Sequence, residues 1–281
     1  LAEAEPARTR EEGGKPESRP AGAEAAAIRS TAVPVPPLPD FRRWGEVERT
    51  PLRSVRRATA KHMALAWSQI PHVSHQDAAD VTELEALRNK YKAEVAEQGG
   101  SLSLTIFVLK AVVAALKAHP RFNASLDHDA EEIVLKKYYH IGVAVDTERG
   151  LLVPVVRDVD RKSITELALE LKDLVQRTRD GKVELEEMQG GTFTITNPGP
   201  LGGTAFAPIV NYPEVAILGM AKARWQPVVQ GEGPQAHMVP RLMLPLILAF
   251  DHRVLDGADA ARFVTMVISF LESPDRLLIA A

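Results

Sequence analysis

The stretch from Leu104 to Leu116 limits this chain more than any other feature: it is apolar throughout, except for Lys110 and the hydroxyl of Thr105. Such a run cannot face water. It is also well short of the roughly 20 residues needed to span a bilayer. It predicts a helix buried in a protein core, begun by Ser103 and stopped before Pro120. A chain of 281 residues with 45% hydrophobic side chains can build that core as one large domain or two small ones. The net charge of −3 gives no overall basic bias toward nucleic acid or an anionic membrane. Cysteine is absent, which excludes disulfides, thiolate metal sites and cysteine nucleophiles, and fits a reducing compartment.

Around this helix the pattern alternates between periods. Arg53 to Trp67 predicts a helix with Val55, Thr59, His62, Met63 and Ala66 on one side, stopped by Pro71. Residues 72–81 read as extended. Thr82 and Glu85 suggest a capping box for a polar helix that ends near Gly99 and Gly100. Ile133 to Lys136, Tyr139 to Asp146 and Leu151 to Val156 read as strands. From Ser163 a helix carries the stripe Ile164, Leu167, Ala168, Leu171, Leu174 and Val175, and Gly181 ends it. Thr192 to Thr196, Val215 to Met220 and Leu242 to Phe250 read as strands. Pro245 marks an edge or a bulge in the last. A helix from about Ala258 to Leu271 closes the chain. Helices early, strands late and a covering helix predict an α+β or mixed α/β fold with a substantial sheet.

Residues 1 to about 40 hold no aromatic side chain and are rich in alanine and proline. Such a segment buries too little surface to offset its ordering entropy and reads as a linker. Phe41 and Trp44 then open a single domain from 41 to 281.

Two stretches concentrate reactive groups. Asp251-His252-Arg253-Val254-Leu255-Asp256-Gly257 lies between an apolar strand and a helix. Histidine can take and return a proton near neutral pH, and the crowded charges can orient it. The plainer alternative makes Asp256 a helix cap, Asp251 and Arg253 a surface pair, and His252 structural. In the second stretch, alternation puts Thr192, Thr194 and Thr196 on one face, and a terminal hydroxyl could serve an oxyanion. The alternative is a β-branched strand with its polar side toward solvent. No phosphate-loop or H-E-x-x-H pattern is present, and a metal held by His252, Asp251 and Asp256 lacks a further ligand.

The stretch Asp251 to Gly257 matches the D-H-R-x-x-[DN]-G signature, and here the chain resembles the dihydrolipoamide acyltransferases, the core subunits of 2-oxo acid dehydrogenase complexes. The resemblance continues through Pro71-His72-Val73 and Ala79 to Glu85, Lys136 to Asp146, Leu151 to Val155, Gly202 to Phe206 and Pro213 to Gly219. It is strongest to the pyruvate type. The resemblance implies a chloramphenicol-acetyltransferase-like α/β fold and a trimer with active sites between subunits. Trimers of this kind build a hollow cubic or dodecahedral core. It implies coenzyme A and acetyl-coenzyme A as substrates, no metal, and a lipoyl group carried on a domain outside this chain. The implied partners are lipoyl domains and, through upstream domains, the dehydrogenase and dihydrolipoamide dehydrogenase subunits. Neither nucleic acid nor a membrane is expected. The chain then reads as a C-terminal fragment, in the bacterial cytoplasm or, if eukaryotic, the mitochondrial matrix.

By resemblance His252 is the general base, Thr196 the oxyanion donor, and Asp256 a supporting residue paired with an arginine, for which Arg56 is a candidate. Asp146 matches an acidic residue near the pocket. The run Asn197-Pro198-Gly199 departs from the family pattern behind Thr196. A branched-chain or 2-oxoglutarate type is the nearest alternative, and Thr196 leans toward the succinyl-transferring type. A catalytically silent scaffold or a standalone acyltransferase for a small acceptor would share the fold. The presence of His252, Asp256 and Thr196 together disfavours the first.

Overall fold

A computed structural model describes residues 36 to 280, and most of the expected linker lies outside them. The chain divides at Thr50 and Pro51 into two units. In the first, Phe41–Arg43 forms a short 3₁₀ turn capped by Asp40. Phe41 and Trp44 lie 6.3 Å apart and stay exposed.

The second unit carries helices α1 (Ser54–Gln69), α2 (Thr82–Glu97), α3 (Leu104–Ala118), α4 (Ile164–Arg179), α5 (Gly257–Glu272) and α6 (Pro274–Ala280). Its strands are β1 (His72–Asp80), β2 (Ala124–Asp127), β3 (Glu132–Leu135), β4 (Ile141–Val143), β5 (Val145–Thr147), β6 (Gly150–Leu152), β7 (Val155–Val156), β8 (Phe193–Thr196), β9 (Ala216–Met220), β10 (Arg224–Gln230) and β11 (His237–Asp251). The main sheet has the order β1-β11-β9-β8-β4-β7, with β10 also paired to β11; β2-β3 and β5-β6 form separate hairpins. The architecture is the mixed α/β expected.

Alternation along the central strands divides the interior in two. Ala216, Leu218 and Met220 of β9 and Leu246, Leu248 and Phe250 of β11 enter the main core, together with α3, α4 and α5. Their neighbours Ile217 and Ala249 face the other way, onto Ile70 and Val210. On this second face the Phe206 ring fills the space where a Cβ on Gly219 would sit, so the strand needs glycine there. Helix α3 is buried almost all round. Lys110 is accommodated because its Nζ reaches past the core to donate to the Lys162 carbonyl at 2.9 Å. Among the described residues no helix is long and apolar enough to cross a membrane.

Several local expectations change. Thr82 does not cap α2 with its own hydroxyl. Asp80 Oδ1 accepts from both the Thr82 amide and hydroxyl, and Glu85 instead pairs with Arg88. Ser103 sits at the N-cap of α3 but makes no side-chain cap bond. The strand expected over Tyr139 to Asp146 breaks at Ala144, whose amide donates across to Ile195. That break lets β4 run inside the main sheet while β5 turns out into its own hairpin. Leu151 to Val156 likewise divides, at Val153 and Pro154. Pro245 lies on neither sheet edge. It interrupts the ladder between Met220–Leu246 and Arg224–Met243, with Ala221 donating to its carbonyl, which is a bulge. The buried face of α5 is centred on Ala260, Phe263, Val264, Val267, Phe270 and Leu271, rotated from the stripe the spacing suggests.

Candidate active site

Strand β11 emerges from the core at Asp251, which is 1% exposed. Its amide donates to Val215 O at 2.9 Å, and its carbonyl accepts from the Val254 and Leu255 amides. His252 follows, with its backbone amide on Pro71 O at 3.1 Å and its imidazole exposed. The Arg253 guanidinium forks onto Asp251, Nε to Oδ1 at 3.0 Å and Nη2 to Oδ2 at 2.7 Å. The pair joins a buried carboxylate to a partly exposed guanidinium, so only one partner lies at the surface as the plainer alternative held. The hydrogen bond to Asp251 raises the Arg253 pKa further above its ordinary value. Asp256 begins α5. Its Oδ1 accepts from the Asp259 amide at 2.9 Å within a capping box, and this bond holds its carboxyl below the ordinary range.

Thr196 lies at the C-terminal end of β8, opposite Gly219 of β9. The turn behind it is pinned. Asn197 Nδ2 donates to Thr105 Oγ1 at 3.2 Å, Asn197 Oδ1 accepts from the Gly199 amide, and Pro198 O accepts from Leu201 and Gly202. Asp146, exposed on β5, borders a cavity of about 620 Å³ beside this turn, with Asn197, Ser101, Thr105, Lys172 and Arg179 also on its wall. The Arg56 guanidinium lies beside Gly150 in the same β5-β6 hairpin, and within the chain it does not meet Asp256.

The four candidate residues therefore form two pairs: Thr196 with Asp146, and His252 with Asp256. Register separates them. Thr196 pairs with Gly219, Gly219 pairs with Ile247, and β11 runs antiparallel to β8 and β9. From Ile247 the strand continues to His252, roughly 17 Å along the sheet at about 3.3 Å per residue. His252 and Thr196 stand at opposite ends of one chain's sheet.

The other two threonines of β8 do not face solvent as the simpler reading held. Thr192 Oγ1 donates to His140 O, and Thr194 Oγ1 donates to Glu214 Oε2 at 2.7 Å. Asn211 Nδ2 donates to Glu214 Oε1, and Asn211 Oδ1 meets His62 Nε2 of α1 at 3.0 Å. Glu214, which the sequence left inside a motif without a role, is thus a buried acid bonded to Thr194 and Asn211. Burial pushes its carboxyl up to about 7, against the lowering effect of Thr194, Asn211 and Lys136. The unfolded chain releases this proton near the ordinary 4.5, so between that pH and 7 the folded state holds one proton more. Stability falls as pH rises through this window, with a slope of up to about 1.4 kcal/mol per pH unit from this group. Glu214→Gln mimics the protonated carboxyl and should lose that contribution. Urea unfolding of both proteins from pH 4.5 to 8 checks this, and parallel curves would contradict it.

Residues 45–279 match the family model of the 2-oxoacid dehydrogenases acyltransferase catalytic domain. The chain belongs to this family. It is 46% identical over 244 residues to the dihydrolipoyllysine-residue acetyltransferase component of the pyruvate dehydrogenase complex of Haemophilus influenzae, covering 86% of the chain and 42% of that relative. The Cupriavidus necator protein of the same description is 47% identical over 240 residues, covering 85% and 42%. The chain thus spans less than half the length of these relatives. Among solved structures it superposes on Azotobacter vinelandii dihydrolipoamide acetyltransferase with a TM-score of 0.84 and 46% identity, covering 88% of this chain and all of that one. That structure addressed the roles of a serine, a histidine and an asparagine in catalysis. The cubic core of a pyruvate dehydrogenase multienzyme complex gives the same TM-score at 45% identity, with the same coverage of both chains. Among the described residues there is no group of three or more His, Cys, Asp or Glu able to hold a metal ion.

Proposed function

We propose that this chain is the catalytic and core-forming part of a dihydrolipoamide acetyltransferase, moving an acetyl group between a dihydrolipoyl thiol and coenzyme A within a pyruvate dehydrogenase complex. The observation that carries the reading is the match across residues 45–279, which includes an exposed His252 on a fixed loop. In the proposed reaction His252 removes the proton from the attacking thiol. A thiol of pKa near 8.5 is largely protonated at neutral pH, so a placed base raises the thiolate available at attack. The thiolate adds to the thioester carbonyl, and the Thr196 hydroxyl donates to the oxyanion that forms. Collapse expels the second thiolate, which takes the proton back from the imidazolium. A site that holds thiol and thioester together lowers the entropic part of the barrier.

The two half-sites lie at opposite ends of the sheet, so this chemistry needs His252 of one chain beside Thr196 of another. A closed ring of copies satisfies that requirement, and we assign a trimer, built further into a hollow core. In that arrangement Asp256 caps α5 behind the histidine, and Asp146 borders the substrate channel. Lipoyl domains and the partner dehydrogenases would be reached through segments beyond this chain. The bacterial relatives favour a cytoplasmic setting. The exposed imidazole argues against a silent scaffold.

The direct test is acyl transfer from acetyl-, succinyl- and isobutyryl-coenzyme A to free dihydrolipoamide. The acetyl donor is expected to give the highest kcat/KM. Preference for succinyl or isobutyryl would move the chain to another branch of the family, and no transfer from any donor by an assembled particle would leave a scaffold.

A further inference from the structure

Holding a histidine at a chain surface between two subunits poses a mechanical problem. The imidazole of His252 has no side-chain hydrogen bond to another described residue of its own chain, so its direction is set by the backbone that carries it. That backbone is fixed on both sides by Asp251 and Arg253. Asp251 turns inward at the end of β11, buried to 1%. Its Oδ1 accepts from both the amide and Nε of Arg253, each at 3.0 Å, and its Oδ2 accepts from Nε at 3.2 Å and Nη2 at 2.7 Å. One carboxylate thus spans His252 and ties the residue after it to the residue before it. The Asp251 carbonyl then accepts from Val254 and Leu255 at 3.1 Å each, closing the turn from beneath. A bidentate guanidinium–carboxylate fork fixes both distance and plane, which a single ammonium contact does not. Side chains at i−1 and i+1 joined in this way leave the intervening residue facing the opposite direction, out toward a second copy.

We propose that Asp251 and Arg253 are positioning residues for catalysis, a fork whose function is to hold the His252 backbone so that the imidazole projects into the neighbouring subunit's half-site. This rests on the reading of His252 as the general base. The fork touches no substrate and transfers no proton. Its contribution lies in the fraction of complexes in which base and thiol meet at hydrogen-bonding distance. It therefore enters kcat, and leaves substrate affinity at the Thr196 end unchanged.

The test compares parent, Arg253→Met, Arg253→Lys and His252→Ala proteins as assembled particles, at a temperature below every melting transition. Arg253→Met should lower kcat at least tenfold while KM for acetyl-coenzyme A and dihydrolipoamide stays within about twofold. Arg253→Lys keeps the charge opposite the buried Asp251 but loses the fork, and should restore kcat only in part. If Arg253→Met does not assemble, Arg253→Lys carries the comparison, with a several-fold loss of kcat expected at unchanged KM. Parent-like kcat in the folded Arg253 variants, with His252→Ala inactive, would overturn the positioning role and leave the fork a stabilising contact. Full activity in His252→Ala would instead overturn the reading of the base, and the proposal with it.

Discussion

His252→Ala is expected to fold and assemble like the parent and to lose about 10²- to 10⁴-fold in acetyl transfer, the range in which a placed general base contributes. The first half of this expectation comes from burial. The imidazole is exposed and makes no side-chain hydrogen bond to a described residue of its chain, so removing it opens no cavity and orphans no partner. The second half comes from thiol acidity. Without the base, turnover depends on thiolate already present, which grows about tenfold per pH unit below a pKa near 8.5. The deficit should therefore be largest at pH 6.5 and shrink toward pH 8.5. Rates measured across that range, with particle size checked by light scattering, decide the matter. A deficit that does not change with pH would point to a role for His252 other than proton removal.

Thr196→Ala should lower kcat roughly a hundredfold with little change in KM, the loss typical of one oxyanion donor. Its hydroxyl stands at the end of β8, where the backbone is already fixed by pairing with Gly219 and the following turn is held through Asn197 and Thr105. The substitution removes the hydroxyl and leaves that frame in place. Thr196→Ser keeps the donor and should retain most of the activity. Steady-state kinetics on the two variants check this, and an unchanged kcat in Thr196→Ala would remove the residue from the mechanism.

The elements most legible in the sequence were those whose faces are sharply divided. The α1 side formed by Val55, Thr59, His62, Met63 and Ala66 is the side the fold covers. The α4 stripe is likewise buried through Leu167, Ala168, Leu171 and Leu174. Strand β10 was not legible. Its residues Trp225, Gln226, Pro227 and Val229 are exposed, so no alternation marks it, and only pairing with β11 makes it a strand. Thr82 failed as a cap for a similar reason. Leu242 of the distant β11 donates to its hydroxyl, and Asp80 Oδ1 accepts from its amide, leaving Val81 at the N-cap with no side-chain cap bond. Glu214 was given no role, although it lies in a matching stretch, because a single glutamate in a loop carries no periodic signal and only packing makes it a buried acid.

By itself the sequence determined the family, the mixed α/β class, the buried α3 helix and the identities of the candidate groups. These depend on residue types and short spacings, which are local properties of the chain. Only the tertiary structure decided how those groups are arranged. Strand direction and register put Thr196 and Asp146 at one end of the sheet and His252 and Asp256 at the other. Packing, too, buried the Asp251 carboxylate under the Arg253 fork, where the sequence alone allowed a pair wholly at the surface. Pairing between strands far apart in sequence is set by the shared core, and no window along the chain contains it.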